Sequence, residues 1–407
     1  MSEIKSQNKV LYLISIIGFF GIFSGTISKN PVLPLFAQSL GASTAIIGLI
    51  AAISPIAGIL FSFPVGYLCD SWGRKKLLLV SALVFLISPL LYLLITNPLL
   101  LIPVRFFHGI ATAILGPVAS SIIFSNYTKD RGEKIGLYSS ATLVGRTVAP
   151  IVGGFLMGAF VYMGILWSYK VVYIAAFVVS IPVLFLCLMY KEEGVQSSLE
   201  ELKKTSFTQM KKALLSFIGN AKLLATGLAE MATYFSFGAF ETYFPIYLHY
   251  LGVSPAKIGM AFSLQILSIA LTKPLFGKLS DHIDRRVQII FGLLILGSAI
   301  AAMPAFSNFI MLLVCAVIFG FGMSFCTVAT SAYSADVAKA EELGASMGAL
   351  SSIMDIGHSS GPFVAGVIIS LISLKAGFLA CGIVCVLSAG FFIYSGFQKN
   401  LDKPITN

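Results

Sequence analysis

The sequence predicts an all-α membrane protein of twelve transmembrane helices in two pseudo-symmetric six-helix bundles. Three observations carry that prediction. The first is composition: of 407 residues, 57% are hydrophobic and only 11% charged, and the mean hydropathy is +0.93. Soluble domains carry about twice that share of charge. A span needs about 20 apolar residues, so this length holds about twelve with short loops. The second is an internal repeat. An offset of 211 puts Pro34 on Pro245, Gly48 on Gly259, Gly66 on Gly277, Asp70 on Asp281 and Arg74 on Arg285. An offset of 212 puts Gly136 on Gly348, Gly145 on Gly357, Pro150 on Pro362 and Gly154 on Gly366. The repeat is parallel, six spans plus six, an architecture expected to place a substrate site at the midplane between halves that rock. The third is charge placement. The net charge is +10, but most Lys and Arg fall in one set of interspan segments. Lys29, Lys170, Lys257 and Lys375 lie on the other side. That is positive-inside bias with both termini cytoplasmic, and it argues against a nucleic-acid partner.

The spans follow in order. The first is read as an uncleaved helix over Val10–Leu35, too long for a signal-peptide core. Spans two to six cover Thr44–Leu68, Leu77–Ile95, Leu99–Ser125, Ile135–Val161 and Val171–Tyr190. Spans seven to twelve cover Leu223–Leu248, Lys257–Leu279, Val287–Phe306, Ile310–Tyr333, Met347–Leu371 and Ala376–Tyr394. The polar stretch from Lys191 to about Lys212 divides them, as a linker that can hold a surface amphipathic helix. The expected domains are therefore residues 1–190, a cytoplasmic linker at 191–217, and residues 218–407. Of the six cysteines, five lie in apolar runs and Cys69 lies at a loop. None has metal-ligand spacing, and they read as reduced packing residues.

Between spans two and three stands Gly66-Tyr-Leu-Cys-Asp70-Ser-Trp-Gly73-Arg74-Lys75-Lys76. Its weaker copy is Gly277-Lys-Leu-Ser-Asp281-His-Ile-Asp284-Arg285-Arg286. The glycines allow close helix approach, the Asp favours a helix N-terminus, and the basic cluster stays cytoplasmic. A charged turn that only fixes topology is the simpler reading, and duplication argues against it. Span five carries Gly145-Arg146-Thr147-Val148-Ala149-Pro150-Ile151-Val152-Gly153-Gly154, small residues and a Pro that fit tight packing and a kink.

Together these motifs resemble those of the major facilitator superfamily, in its twelve-span drug:proton antiporter branch, over nearly the whole chain. The resemblance implies that Gly66, Asp70, Gly73 and Arg74, with Gly277, Asp281 and Arg285, form a cytoplasmic latch that holds the outward-facing state. It implies that Gly145, Pro150, Gly153 and Gly154 are the exporter motif tied to antiport, with Ala149 replacing one glycine. Arg105-Phe-Phe-His108-Gly109 in span four is similar to the family's Arg-x-x-x-Gly motif, associated with proton coupling. An Arg near the outer rim that snorkels to the headgroups is the alternative. Family members often carry an acid at the end of span four to hold the latch arginine. Here Asp336 can hold Arg285, whereas Arg74 meets the neutral Asn126.

The ionisable residues inside spans are few: Arg105, His108, Arg146, Glu230, Glu241, Lys273, Asp355 and His358. A carboxylate removed from water is easier to protonate, so Glu230 in span seven and Asp355 in span eleven are the candidate proton carriers, with Glu241 next. Static ion pairs with Arg146 or Lys273 are the alternative. Asp355 and His358 are spaced to share one helix face. Span one offers Lys29 and Asn30, the latter aligned with Glu241, instead of the acid many related exporters carry. Arg105, His108, Asn30, Arg146 and His358 are the candidates for substrate contact or coupling.

The expected function is secondary transport: proton-coupled export of a small amphiphilic compound, with no enzymatic activity, cofactor or metal. The expected partners are a small-molecule substrate, protons and membrane lipid, and the expected state is a monomer in the cell membrane. Coupled uptake of a polar metabolite and a non-transporting receptor on the same scaffold are the alternatives. Gly344-Ala-Ser346-Met-Gly348 matches a nucleophile-elbow pattern, but no strand precedes it and its repeat partner keeps only the glycines. There is no phosphate-binding Gly-x-x-x-x-Gly-Lys loop and no His-Glu-x-x-His motif.

Overall fold

The computed structural model describes residues 2–127, 130–192, 217, 219–338 and 343–397, and no strand occurs among them. The expected linker helix falls outside the described residues. The long helices are α1 (Ser2–Ile27), α2 (Val32–Ser39), α3 (Thr44–Ser71), α4 (Arg74–Leu93), α5 (Leu101–Asn126), α6 (Arg131–Ala159), α7 (Ile165–Met189), α8 (Ala221–Tyr250), α9 (Pro255–Ser280), α10 (Arg285–Ala302), α11 (Phe309–Val337), α12 (Leu343–Leu371) and α13 (Leu374–Phe397). Backbone polar groups cannot be left unpaired in hydrocarbon, so an apolar chain of this kind satisfies them within helices.

Among the described residues, 10 stretches are helical, long and apolar enough to cross a membrane. The first joins α1 and α2 as Asn8–Ser39. Spans seven and eleven of the sequence reading fall on α8 and α12. These are 30 and 29 residues long and are not among the ten. They also carry most of the acidic candidates. The first span is not one continuous helix. It breaks at residues 28–31, where Pro31 lacks an N–H and restricts Asn30 before it.

The chain forms two compact units. One holds residues 1–202 and 245–263, and the other holds 203–244 and 264–407. The divide therefore runs through α8 and α9. In the first unit α1 packs on α6 and α7, α3 on α5, and α4 on α5 and α7. In the second α10 packs on α11 and α13, and α12 on α13.

The repeat seen in the sequence reproduces individual packing contacts. A Cβ added to Gly145 on α6 would stand 2.6 Å from the Phe19 carbonyl oxygen on α1. At the offset of 212, Gly357 on α12 stands in the same way against the Met231 carbonyl on α8. Gly109 on α5 abuts the Ser54 carbonyl of α3, and at the offset of 211 Gly320 on α11 abuts the Gln265 carbonyl of α9. Close backbone approach at small residues is how membrane helices gain packing energy where lipid is as apolar as leucine.

Candidate functional site

Three groups of polar side chains stand out against the apolar helices. The first is in the second unit, around α8. Glu230 is buried, with 4% of its surface exposed. Its Oε2 is 2.5 Å from Thr330 Oγ1 of α11. Thr330 Oγ1 is also 3.0 Å from the Thr327 carbonyl. Lys273 on α9 is exposed and forms no ion pair with Glu230. Three residues along α8, Thr233 Oγ1 donates to the Ala229 carbonyl at 2.9 Å or to Cys326 Sγ at 3.3 Å. An apolar helix can hold an acid there because a hydroxyl meets it at charge-assisted distance.

Towards the other end of α8, Glu241 Oε2 lies 2.9 Å from His358 Nε2 of α12. Tyr234 and Phe237 of α8 place their rings 6.2 and 5.5 Å from the imidazole. A Cβ at Gly238 would meet the His358 carbonyl at 2.6 Å. Residues 234, 237, 238 and 241 lie along one helical face, which fixes the ring against α8. The partner of His358 is thus Glu241 and not its sequence neighbour Asp355. Asp355 is half-buried and makes no hydrogen bond or ion pair among the described residues.

The second group is in the first unit. Arg105 and His108 of α5 are 3% and 2% exposed. The Arg105 guanidinium lies beside the Tyr92 hydroxyl of α4. That hydroxyl is 3.4 Å from His108 Nδ1. Tyr92 stacks on Tyr173 of α7 with centroids 4.5 Å apart, and Phe85 meets His108 edge-on. Arg105 Nε, His108 Nε2 and the Tyr173 hydroxyl are buried without a hydrogen-bond partner among the described residues. No carboxylate pairs with Arg105 among the described residues. Asn30 is buried in the same unit, and Arg146 on α6 is exposed. The glycines around Pro150 lie against neighbouring helices. Gly145 and Gly153 meet α1 at Phe19 and Ile27, while Gly154 meets Pro255 and Gly259 of α9. Beside Pro150, the Ile151 N–H donates to Ser263 Oγ at 3.1 Å.

The third group is the duplicated loop. In the second copy, the Arg285 guanidinium binds Asp336, donates to the Ala332 carbonyl at 3.1 Å, and sits 3.6 Å from Asp281. A Cβ at Gly277 would meet open space. In the first copy, Arg74 is buried and its Nε donates to Ser121 Oγ at 2.9 Å. Asn126, the expected partner, gives its amide to the Ile122 carbonyl instead. Gly73 has φ +88°. The side chain of Asp70 and the surroundings of Gly66 lie outside the described residues. The Arg74 and Lys75 N–H groups both donate to the Glu192 carboxylate.

Sequence reasoning missed Thr330, Tyr92, Tyr173, Ser121 and Glu192. A threonine or tyrosine inside a span carries no signal of its own. For Glu192 the one signal is indirect: Gly73, which has no side chain to cap a helix, occupies the position where the repeat has Asp284.

Residues 14–250 and 226–404 match the family described as Major Facilitator Superfamily. The chain is 25% identical to Multidrug resistance protein 2 of Bacillus subtilis (strain 168), covering 98% of each. It is 22% identical to Quinolone resistance protein NorA of Staphylococcus aureus (strain MRSA252), over 94% of this chain and 96% of that one. A similar solved structure is that of a bacterial homologue of the human lysosomal transporter Spinster, inward-facing and unoccupied. Its TM-score is 0.80 at 18% identity, over 98% of this chain and 99% of the other.

Proposed function

The chain belongs to the Major Facilitator Superfamily, and on that premise we propose that it is a secondary transporter that exports small amphiphilic compounds in exchange for protons, with Glu230 as the proton carrier. The drug-resistance names of its relatives support the direction and substrate class. The proposal includes twelve spans, with α8 and α12 as the seventh and eleventh, a six-plus-six domain plan, a monomer in the cell membrane, and cytoplasmic termini.

One observation carries the choice of Glu230: the placement of Thr330. A hydroxyl has one hydrogen to donate and two lone pairs to accept. When Glu230 is charged, Thr330 donates to its Oε2 at 2.5 Å. When Glu230 is protonated, its own O–H donates to Thr330, and the threonine hydrogen turns to the Thr327 carbonyl at 3.0 Å. Both protonation states are satisfied without moving a heavy atom. A group that cycles between charged and neutral needs such a partner, since an unsatisfied buried polar atom costs about 1–3 kcal/mol. Among the described residues Asp355 has no such partner, and Glu241 is engaged by His358.

The latch reading is part of the proposal: Arg74 and Arg285 each fasten the start of one helix to the end of another in its own unit. Arg105, His108 and Asn30 are proposed as substrate-contacting or coupling residues.

The test is accumulation of a fluorescent cation such as ethidium in inverted membrane vesicles carrying an imposed pH gradient, where export from the cell reads as uptake into the lumen. Glu230→Gln should lose gradient-driven movement while still binding the dye and exchanging it downhill. Full gradient-driven transport by that variant would remove Glu230 from the mechanism. Movement of substrate only out of the vesicle lumen would replace export with uptake.

A further inference from the structure

The two copies of the loop differ in how the following helix begins. The first N–H groups of a helix have no partner within it and need an acceptor from outside. In the second copy Asp284 supplies it locally: its side chain accepts from the Arg286 N–H at 2.9 Å. The offset of 211 that aligns Arg74 with Arg285 also aligns Gly73 with Asp284. Gly73 has no side chain to cap with, and α4 has no side-chain cap from its own N-terminal residue. The acceptor comes from 118 residues further along the chain. Glu192 Oε1 accepts from the Arg74 N–H at 2.9 Å, and Oε2 accepts from the Lys75 N–H at 3.2 Å.

Gly73 is itself fitted to that arrangement. Its φ of +88° with ψ of 143° is a conformation that side chains disfavour. A Cβ there would come within 3.1 Å of Glu192 Oε2. The absence of a side chain at 73 therefore both permits the turn and clears the ground for the carboxylate.

We infer that Glu192 is a positioning residue of the transport cycle: it caps α4 from the start of the polar stretch that joins the two halves, and so fixes Arg74 against Ser121. The role of Glu192 rests on the latch reading given above, whereas the cap itself does not. Anions are favoured at a helix N-terminus by the backbone dipole, and a carboxylate with both oxygens on consecutive N–H groups uses that preference twice. The Arg74 side chain leaves from the first residue of the capped turn. Its bond to Ser121 Oγ, at 2.9 Å, depends on where that turn is held. In the second half the same task is local to the loop, with Asp284 as the acceptor.

The experiment is amide hydrogen exchange on the full chain in lipid nanodiscs, run beside dye efflux. Glu192→Ala should raise exchange at Arg74 and Lys75 roughly 2- to 10-fold, the lower part of the range for an N-cap because the carboxylate is exposed. Exchange at Arg286 should not change. Asp284→Ala should do the reverse. Glu192→Gln, which keeps one acceptor oxygen, should fall between. In efflux, Glu192→Ala should lower the maximal rate and leave the half-saturating dye concentration and the thermal midpoint unchanged. Unchanged exchange at Arg74 and Lys75 would overturn the cap. Raised exchange with an unchanged maximal rate would overturn the positioning role. A wild-type protein that moves no dye would count against the transport reading, and the exchange measurement would still decide the cap.

Discussion

Two glycines on α12 should respond in opposite ways to the same substitution. Gly357 and Gly348 lie in one helix, and each becomes Ala. An alanine in a helix interior is favoured over glycine by about 0.5–1 kcal/mol, and both variants gain that amount. At Gly348 the new methyl meets nothing within 4 Å. At Gly357 it meets the Met231 carbonyl oxygen, with Met231 Cα at 3.0 Å and its carbonyl carbon at 3.1 Å. These are backbone atoms of α8, which cannot rotate aside, so the two helices must separate. Overpacking of that kind costs about 1–3 kcal/mol. The two variants should therefore differ by about 1–3 kcal/mol, a factor of roughly 5 to 150 in the folded-to-unfolded ratio. The repeat supplies an internal replicate. Gly136→Ala meets open space, and Gly145→Ala meets the Phe19 carbonyl at 2.6 Å. The assay is equilibrium unfolding in mixed micelles with increasing SDS, with the four variants ranked by midpoint. If Gly357→Ala and Gly145→Ala are as stable as their open-site partners, the close helix contacts are not where the structure puts them.

Further outcomes follow from the same geometry. Thr330→Val removes the only hydroxyl bonded to the Glu230 carboxylate among the described residues, and hydrogen bonds to charged groups are worth about 1.5–3 kcal/mol. Gradient-driven efflux should slow about tenfold or more, and Thr330→Ser should restore it. A wild-type rate in the valine variant would count against the shuttle. Asp284 is held below the ordinary carboxylate range, first by the Arg286 side-chain hydrogen bonds. A depressed folded-state value means that its stabilisation is complete above the ordinary carboxylate pKa and fades as pH falls through the lower folded one. Asp284→Asn should therefore raise exchange at Arg286 at pH 6, and the difference from wild type should vanish in strong acid. A difference that grows on acidification would reverse the sign. A double-mutant cycle on Arg285 and Asp336 should give a coupling below about 1 kcal/mol that shrinks with salt, because Asp336 is 55% exposed. A larger, salt-insensitive coupling would mean that the pair is buried in the working protein.

Much of the scaffold was legible in the sequence for a physical reason. Glycines at helix crossings can be replaced only at the cost of the crossing, so the offsets of 211 and 212 mark contacts that do exist, Gly145 on Phe19 and Gly357 on Met231. Helix ends were less legible. The break before Val32 comes from Pro31, where the sequence reading ran one span through Ser28-Lys29-Asn30-Pro31 from Val10 to Leu35. The candidate site was legible by residue type only. Scarcity of charge picked out Glu230, Glu241, Arg105 and His108, but spacing along one helix cannot say what the neighbouring helix presents. It placed Asp355 with His358, where the ring turns to Glu241 on α8. It gave Arg74 to Asn126, although an Asn near a helix end can satisfy itself on its own backbone, as this one does with Ile122.

The repeat also bounds where the chemistry came from. The contact of Gly109 with Ser54 and of Gly320 with Gln265 fixes the offset in α5 and α11 at 211. At that offset Arg105 corresponds to Ala316 and His108 to Phe319, both fully buried, and Phe319 stacks on Phe240 at 4.6 Å. The buried basic cluster of the first unit is thus an apolar cluster in the second. The reverse holds for the acid. The contact of Gly145 with Phe19 and of Gly357 with Met231 sets the offset at that crossing of α1 and α8 at 212, so Glu230, next to Met231, corresponds to Gly18. Thr330 corresponds to Ala119. Neither half retains a trace of the other's charged group, although both retain the glycines that hold the helices together. Burying an ion is costly unless it is paired or used. Each half therefore keeps one kind of buried charge where the other keeps packing. A transplant tests whether that separation matters. Gly18→Glu with Ala119→Thr would rebuild the acid pair in the first unit, where a Cβ added to Gly18 would stand 2.6 Å from the Tyr138 ring. It should destabilise the protein and leave efflux dependent on Glu230. Efflux that survives Glu230→Gln in that background would show that the two halves are interchangeable for proton transfer and that their difference in charge is incidental.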